Sequence, residues 1–414
     1  MNGMARNQFA NIRRQLQLSN TFWDDSTAHG LVDIIADDMR EGIVHSRDGR
    51  TIVNFSSYSY LGLDSDPRII EGAHRGLDET ATINSSISRM RIRLGLLEEA
   101  EQRLSRTFDA QAVTVSSCAA AAWATLPLLA SGELTDGHPP LVVFDKNAHF
   151  CLNAMKPLVA DETELVTIEH NDIAALEQLC RSHSHVAYVA DGVYSTGGGA
   201  PLAELHRLQD RYGLFLYFDE AHGISTLGSH GRGYVLGAYE GWRERTLVIA
   251  SLNKGFGASG GVIFFGAAGD ASRTPTLLRT SGPLMWSQRV NTAGLGAIIA
   301  ACDLHDDGTV DRLQVALQER VRLFDSLVDT DLAGDGLPIR FVSIGREDVT
   351  VAVARDMLDA GFYTSPVFFP IIRRGSAGLR LMLRADLDPD TIRRFADTLS
   401  SSLAAHQDRE ELPA

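Results

Sequence analysis

The sequence predicts an α/β protein in which a large, mostly parallel sheet is covered by helices and a smaller α+β domain follows. Between about residues 51 and 286, short apolar runs alternate with segments of helical periodicity. These runs are apolar on both faces, which is typical of parallel strands with helices on each side. Later in the chain, helical and strand patterns mix. The expected division is an N-terminal arm over 1–50, a large domain over 51–290 and a small domain over 291–414.

The elements of the arm and the large domain follow from local patterns. Residues 1–50 are amphipathic and predict a mostly helical arm. Connecting helices are predicted over 97–108, from apolar residues at helical spacing, and over 201–212, with Pro201 at the start and Gly213 just past the end. The apolar runs expected to form strands are 112–115, 141–144, 186–190, 214–218, 247–250 and 262–265.

The smaller domain has its own signals. A helical period predicts a helix over about 310–328, and strands are predicted near 339–342 and 379–383. Asp388 followed by proline is typical of a helix start, so the last helix is expected to begin there.

Composition and charge exclude several classes of protein. A chain of 414 residues suggests two or three domains at roughly 150 residues each. Hydrophobic residues make up 44% and charged residues 22%, which is ordinary for a globular enzyme. The net charge of −15 argues against general binding to nucleic acids or to anionic membranes.

Four cysteines are present, at positions 118, 151, 180 and 302. Their spacing fits neither a zinc site nor a disulfide framework, so no metal is expected and a reducing cytoplasm is the simplest setting. The N-terminus lacks the apolar core of a signal peptide. The longest apolar stretch, 118–130, is too short to span a bilayer and predicts a buried helix.

Two chemically distinctive residues follow buried-strand patterns. Asp219 ends the run 214–218, and Lys254 comes shortly after the run 247–250 and before glycines. Pyridoxal phosphate needs a lysine amine to hold its aldehyde and a carboxylate to keep its ring nitrogen protonated. Taken alone, Asp219 would ordinarily be interpreted as an acid in a loop and Lys254 as a solvated lysine. Together, the two predict a pyridoxal-phosphate site.

Residues 255–260 also spell G-x-G-x-x-G, which occurs in dinucleotide-binding folds. That fingerprint requires a helix directly after the glycines. Here the apolar run 262–265 follows at once and predicts a strand, so the dinucleotide interpretation is rejected.

Motifs in a fixed order resemble the α-oxoamine synthase family of pyridoxal-phosphate enzymes. The resemblance extends from about residue 54 to residue 399 and is most specific at Asp-Glu-Ala-His over 219–222 and Gly-Ser-His-Gly-Arg-Gly over 228–233. It implies the fold-type-I architecture. The other matching segments are 54–63, 88–89, 116–118, 145–149, 170–172, 193–195 with 200–202, and 251–254.

The resemblance implies roles for individual residues. Lys254 would carry the cofactor and act as general base, Asp219 would pair with the ring nitrogen and His222 would reach the ring hydroxyl. His149 would stack on the ring, although without the resemblance a loop histidine is the simpler interpretation. The other implied cofactor-binding residues are Ser117, Cys118 and Ala119 at a helix start suited to phosphate, Ser195, Ser251 and Ser281, the last reaching a neighbouring subunit's phosphate.

The implied substrate-binding residues are Arg380 and Tyr58. An arginine fork suits a carboxylate because two parallel hydrogen bonds fix its orientation. In the alternating strand pattern, Arg380 falls on the face away from the core. The alternative is that such a strand arginine is simply solvated, and this alternative is stronger for Arg384 than for Arg380.

The reaction that the resemblance implies is decarboxylative Claisen condensation of an α-amino acid with an acyl thioester, carried by coenzyme A or a carrier protein. The product is an α-aminoketone, and the expected assembly is a homodimer. The alternatives are an aminotransferase or decarboxylase without condensation, and a non-catalytic cofactor-binding protein. Departures from the family pattern favour specialised metabolism; they are Tyr58, Leu97, Ala119, Gly378 and a shortened glycine segment at 197–199.

Overall fold

A computed structural model describes residues 21–369 and 371–407. These residues form two compact units. The larger unit comprises residues 63–195 and 199–314, and the smaller comprises the described parts of 1–62 and 315–414 together with residues 196–198.

The larger unit contains a seven-stranded sheet in which all pairs but those of one strand are parallel. Its strands, in spatial order, are β4 (Ala112–Val115), β10 (Gly261–Phe264), β9 (Thr246–Ser251), β8 (Phe215–Asp219), β7 (Val186–Asp191), β5 (Leu141–Asp145) and β6 (Leu165–Ile168). The exception is β10, which runs antiparallel to both neighbours. Except at the β6 edge, every residue of these strands is buried, which confirms the large, mostly parallel sheet.

Helices surround this sheet and confirm the predicted connections. The helix predicted over 97–108 is present, and the one predicted over 201–212 ends at Gly213 in the left-handed conformation with φ 67°. The helices of this unit are α1 (Pro67–Thr80), α2 (Gly95–Phe108), α3 (Cys118–Ala130), α4 (Phe150–Asn153), α5 (Lys156–Glu162), α6 (Ile173–Ser182), α7 (Leu202–Tyr212), α8 (Thr274–Thr280), α9 (Gly282–Trp286) and α10 (Thr292–Asp306).

The next helix, α11 (Thr309–Asp325), continues into the smaller unit, which has two small sheets. One sheet has the order β1 (Ala36–Arg40), β2 (Ile43–Ser46), β3 (Thr51–Asn54), β12 (Phe362–Tyr363). The other has the order β11 (Ile339–Gly345), β14 (Ala377–Met382), β13 (Ser365–Val367). It also contains the helices α12 (Glu347–Asp359) and α13 (Pro389–Gln407).

The predicted cap of the last helix is confirmed. The Asp388 carboxylate accepts hydrogen bonds from the backbone N–H groups of Asp390 and Thr391, at 3.0 and 3.1 Å. These two donors have no partner within the helix, so the aspartate satisfies them. Ile392 and Phe395 then bury the apolar stripe.

Arg384 corrects a sequence-based expectation, because it is 1% exposed rather than solvated. Its guanidinium donates to the Asp386 carboxylate at 2.8 Å and to the backbone oxygen of Asn54 at 2.5 Å. Met382 on the same face is also buried. Both faces of this strand region are therefore covered, and the alternating pattern did not distinguish a paired buried arginine from a solvated one.

In its described part, residues 21–50, the N-terminal arm is also less helical than its pattern predicts. Residues 1–20 lie outside the described residues and 21–28 are helical, whereas β1 and β2 form an antiparallel hairpin. The hairpin turn places Glu41 and Gly42 at φ 49° and 71°. Positive φ at both turn residues matches the twist of a two-residue hairpin, which a helical period cannot reveal. The three-part division at residues 50 and 290 stays a prediction.

Within the ranges that the structure describes, no helix is both long and apolar enough to cross a bilayer.

Candidate active site

The carboxyl ends of the central parallel strands gather most of the candidate residues. Asp145, Asp191, Asp219 and Ser251 are the last residues of β5, β7, β8 and β9. Asp191 and Asp219 are direct neighbours in the strand register. Ligands of open α/β sheets bind at this edge, because loops and helix N-termini converge there.

Lys254 follows β9 by three residues and is partly buried. Its Nζ lies 2.9 Å from Nε2 of His222, so the fold brings these two predicted residues together. Burial lowers the pKa of the Lys254 amine, against the opposing influence of the Asp219 and Asp191 carboxylates. A larger fraction of the amine is therefore in the neutral, nucleophilic form than for an exposed lysine.

Asp219 is 3% exposed and lies in the same pocket. Its Oδ1 accepts a hydrogen bond from the Ala221 N–H at 2.9 Å, which fixes the carboxylate at the strand end. Two thiols complete its surroundings. The Cys118 Sγ lies 3.5 Å from Oδ1, and the Cys151 Sγ lies 3.3 Å from Oδ2.

Asp191 positions the loop that carries His149. Its Oδ1 accepts a hydrogen bond from the His149 N–H at 3.0 Å. Burial and the neighbouring Asp219 charge raise the pKa of Asp191 well above its ordinary value. The His149 ring is exposed, with Nδ1 3.0 Å from the Cys151 Sγ. An exposed ring on a fixed backbone suits a residue that stacks on a ligand.

Asp145 anchors the beginning of the same loop. Its buried carboxylate accepts from the backbone N–H groups of Asn147 and Asn171, at 2.7 and 2.8 Å, and from the Tyr188 hydroxyl at 2.8 Å. Burial opposes its charge, but hydrogen bonds from His170 and these groups lower the pKa of Asp145. The loop before His149 is thus held by a charged side chain that the solvent does not reach.

The predicted phosphate-binding residues lie at the start of α3. Ser117 caps the helix by accepting from the Ala120 N–H at 3.1 Å, and Cys118 and Ala119 open the first turn. In the sheet, Gly261 lies between Val115 and Ser251. Ser251 is therefore near the segment that connects β4 to α3. A Cβ at Gly261 would lie only 2.5 Å from the Ser117 carbonyl carbon, so glycine is required for this close approach.

The remaining hydroxyl candidates lie on loops of the same unit. Ser195 follows β7 and is partly buried. Ser251 is buried and its Oγ donates to the side-chain oxygen of Asn253. Ser281 is buried and caps α9, where its Oγ accepts from the Leu284 N–H at 3.4 Å.

The two predicted substrate-binding residues meet in the smaller unit. The Arg380 guanidinium donates to the Tyr58 hydroxyl at 2.8 Å and lies 5.6 Å from the centre of its ring. Arg380 is partly exposed, and the tyrosine contact orients its guanidinium. A Cβ at Gly378 would lie 2.2 Å from the Val342 carbonyl oxygen, which explains why a larger residue is absent there.

Several site residues escaped the sequence-based prediction. Cys151 and Asp191 carry no motif of their own, and only the fold brings them to Asp219. Glu220 accepts from the N–H groups of Tyr234 and Val235, at 3.2 and 2.5 Å, and burial raises its pKa to about 8. It holds the glycine-rich segment 228–233 beside β8. In the sequence, the acidic pair of Asp219 and Glu220 at the end of a predicted strand could have identified Glu220.

The chemistry of this pocket fits pyridoxal phosphate. A lysine amine with a depressed pKa suits an aldehyde, and a buried carboxylate suits a cationic ring nitrogen. The N-terminus of α3, capped by Ser117, is the kind of site that binds a phosphate. These three features belong to one compact unit.

Comparison with known proteins gives a consistent result. Residues 50–399 match the family described as aminotransferase class I and II. The chain is 31% identical to 8-amino-7-oxononanoate synthase from Maricaulis maris over 376 residues, which is 87% of this chain and 89% of that protein.

Solved structures share the fold. Serine palmitoyltransferase from Sphingomonas wittichii matches with a TM-score of 0.83 at 20% identity, over 96% of this chain and 99% of that chain. Serine palmitoyltransferase from S. paucimobilis, solved with bound pyridoxal phosphate and myriocin, matches with a TM-score of 0.81 at 18% identity, over 94% and 98%. At these identities the likeness establishes the fold.

Proposed function

The chain belongs to the α-oxoamine synthases of the class I and II aminotransferase family, and from this premise we propose that it condenses an α-amino acid with an acyl thioester. Its cofactor is pyridoxal phosphate. The α-carbon of the amino acid forms a bond to the acyl carbon, while carbon dioxide and the thiol leave. The product is an α-aminoketone.

The observation that carries this proposal is the assembly of Lys254, His222 and Asp219 in one pocket at the sheet edge. Lys254 would hold the cofactor's aldehyde, Asp219 its ring nitrogen and His222 its ring hydroxyl, with His149 stacked on the ring. When bound, the cofactor supplies an electron sink for the charge that develops on the substrate's α-carbon. The residues proposed for its phosphate are Ser117, Cys118, Ala119, Ser251 and, from a neighbouring subunit, Ser281, with Ser195 as a further contact.

We assign Lys254 the role of proton acceptor once the amino acid has replaced it at the cofactor. The contact of 2.9 Å to His222 holds its amine in a fixed position. Its depressed pKa supports the role, because a base must be unprotonated to accept the α-proton at neutral pH.

Arg380 is proposed to orient the amino acid through its carboxylate. The Tyr58 hydroxyl contacts the guanidinium at 2.8 Å, and the planar fork of N–H donors matches a carboxylate. Tyr58 and Gly378 depart from the family pattern beside this arginine. These departures support an amino acid and an acyl chain of specialised metabolism, with coenzyme A or a carrier protein as the thioester.

The test is to incubate the purified protein with each of the twenty amino acids and a panel of acyl thioesters. Carbon dioxide and thiol should appear in equal amounts, and mass spectrometry should detect the aminoketone. If no pair yields thiol, and a keto acid is aminated instead, the aminotransferase alternative is correct. Carbon dioxide without thiol would identify a decarboxylase.

Replacing Arg380 with alanine should weaken amino-acid binding. Loss of a charge-assisted hydrogen bond costs about 1.5–3 kcal/mol, so the dissociation constant should rise about tenfold to a hundredfold. Titration of the cofactor absorbance with the amino acid measures this constant. The spectrum before addition of substrate should stay unchanged, because Arg380 is not proposed to contact the cofactor.

Two controls define this result. Arg373→Ala removes an exposed arginine of the same unit and should leave binding unaltered. Tyr58→Phe keeps the guanidinium but loses its hydroxyl contact, so its effect should be smaller than that of Arg380→Ala. Equal binding by wild type and Arg380→Ala would exclude the carboxylate role.

A homodimer is proposed as the active assembly. Large apolar side chains of the larger unit are exposed, with Trp286 76% exposed and Phe150 69% exposed. Contiguous exposed apolar surface typically marks a protein interface, and we propose that these side chains form such a surface. Hydrogen bonds from Ser88 to the Met285 oxygen and from Arg289 to the Ile87 oxygen join the neighbouring segments. The exposed side chains, here called the apolar patch, are Ile83, Ile92, Trp123, Phe150 and Trp286.

A charge within the apolar patch should dissociate the dimer. Trp286→Asp places a carboxylate where the proposed interface is desolvated, so sedimentation should show a shift from dimer to monomer, with loss of activity. Val315→Asp, at an exposed apolar position on α11, should sediment as the wild type does. A fully active wild-type monomer at assay concentration would contradict the proposal.

A further inference from the structure

Two thiols and a carboxylate converge at the end of β8. The Cys118 Sγ, the Cys151 Sγ and a carboxylate oxygen of Asp219 all lie within 4.8 Å of one another. Cys118 opens α3, Cys151 lies in α4 and Asp219 ends β8. Their separation in sequence conceals the cluster, which is why cysteine spacing alone predicted no metal site.

The distances within the cluster suit a tetrahedral cation site. Zinc bonds of about 2.3 Å to sulfur and 2.0–2.2 Å to oxygen imply sulfur–oxygen edges of about 3.6 Å and a sulfur–sulfur edge of about 3.8 Å. The Cys118 Sγ lies 3.5 Å from Oδ1 of Asp219 and the Cys151 Sγ lies 3.3 Å from Oδ2, so the two contacts are to different carboxylate oxygens. Rotation of the carboxylate would bring one oxygen to both sulfurs, since the three ligand atoms already lie within 4.8 Å of one another.

The chemistry of the donors restricts which ion this is. Two thiolates favour a thiophilic cation such as Zn²⁺ or Cd²⁺ over Mg²⁺ or Ca²⁺, which prefer oxygen. The carboxylate and two thiolates carry one negative charge more than a divalent ion neutralises, so the site also has the charge to hold it.

We propose that the chain without its cofactor binds one thiophilic divalent cation through Cys118, Cys151 and Asp219. Two metal–sulfur bonds form as two thiol protons pass to water, and one carboxylate oxygen completes the protein ligands. Cation and cofactor then exclude each other, since both require Asp219. This exclusion rests on the proposed function, whereas binding of the cation does not.

The experiment is a titration of the cofactor-free, fully reduced chain with Cd²⁺, followed by the ultraviolet absorbance of cadmium–thiolate bonds and by equilibrium dialysis. One ion per chain should bind. Cys118→Ala and Cys151→Ala should each weaken binding by more than about a hundredfold, because loss of a ligand should exceed the 10–100-fold cost typical of outer-shell changes. Cys180→Ala and Cys302→Ala, at other buried cysteines, should bind as the wild type does.

A second measurement needs no variant. Bound Cd²⁺ should protect Cys118 and Cys151 from alkylation in the wild-type chain, and peptide mass spectrometry identifies the protected thiols. Protection of other cysteines, or undiminished binding in the Cys118→Ala, Cys151→Ala double variant, would overturn the site.

Competition between Cd²⁺ and pyridoxal phosphate is measured in a separate experiment. Loading the chain with pyridoxal phosphate should abolish Cd²⁺ uptake, and Cd²⁺ should prevent the absorbance change of cofactor binding. Equal affinity for Cd²⁺ with and without cofactor would overturn the exclusion. A chain that binds Cd²⁺ as expected but condenses no amino acid would contradict the proposed function alone.

Discussion

Lys254→Ala is expected to abolish covalent attachment of the cofactor and to reduce turnover about 10²–10⁴-fold, the usual contribution of a positioned general base. The variant removes the amine that holds the aldehyde and that accepts the substrate's α-proton. It should fold normally, because Lys254 is only partly buried. Steady-state kinetics and cofactor absorbance measure both effects.

The composition of the chain makes the attachment site easy to identify. The sequence has three lysines, at positions 146, 156 and 254. Borohydride reduction followed by peptide mapping should label Lys254 alone. Label on another lysine would disprove the assignment.

The other two lysines provide matched controls. Lys146 is exposed and paired with Glu169 at 2.7 Å. Lys156 donates to the Thr167 hydroxyl at 2.9 Å, and burial lowers its pKa as it does for Lys254. Alanine at either position should retain cofactor and activity. A depressed pKa alone therefore does not define the site; position at the sheet edge does.

The pH dependence of cofactor attachment follows from the direction in which the pKa of the Lys254 amine is shifted. Only the neutral amine attacks an aldehyde, so capture by cofactor-free protein should accelerate as pH rises. Because burial lowers the pKa of Lys254, the rate should level off below pH 10.5, the ordinary value for a lysine. Stopped-flow absorbance across pH 6 to 11, with a correction for the cofactor's own titration, measures this profile.

The larger sheet was predictable because its strands are buried on both faces. Each apolar run predicted as a strand became one, with bounds that differ by a residue or two, and Asp219 and Lys254 fell where the pattern placed them. The edge strand β6 was missed because only part of it is buried, which weakens its apolar signal. Local sequence therefore identifies fully buried strands, including the edge strand β4, better than partly buried ones.

Contacts between distant segments were not predictable. The sequence gives no sign that Cys151 approaches Asp219, or that Arg384 is buried with Asp386 and a backbone oxygen. Both depend on packing between elements far apart in the chain. A single sequence identifies polar groups, but only the fold shows which of them are paired away from water.

Asp219→Asn should reduce kcat/KM about 10²–10³-fold, which is the usual cost of removing one preorganised electrostatic contact to developing charge. The amide fills the same space but carries no charge to stabilise a protonated ring nitrogen. Cofactor should still attach to Lys254, so the absorbance spectrum separates loss of catalysis from loss of binding. Near-normal turnover in this variant would refute the role of Asp219.

Asp191→Asn is the informative control, because Asp191 is the strand neighbour of Asp219 in the same pocket. Burial raises the pKa of Asp191, so the neutral amide resembles the form of the side chain that its surroundings favour. The amide oxygen can still accept the His149 N–H bond. The effect should therefore be far smaller than that of Asp219→Asn. Equal losses in the two variants would mean that pocket shape, rather than the Asp219 charge, limits the reaction.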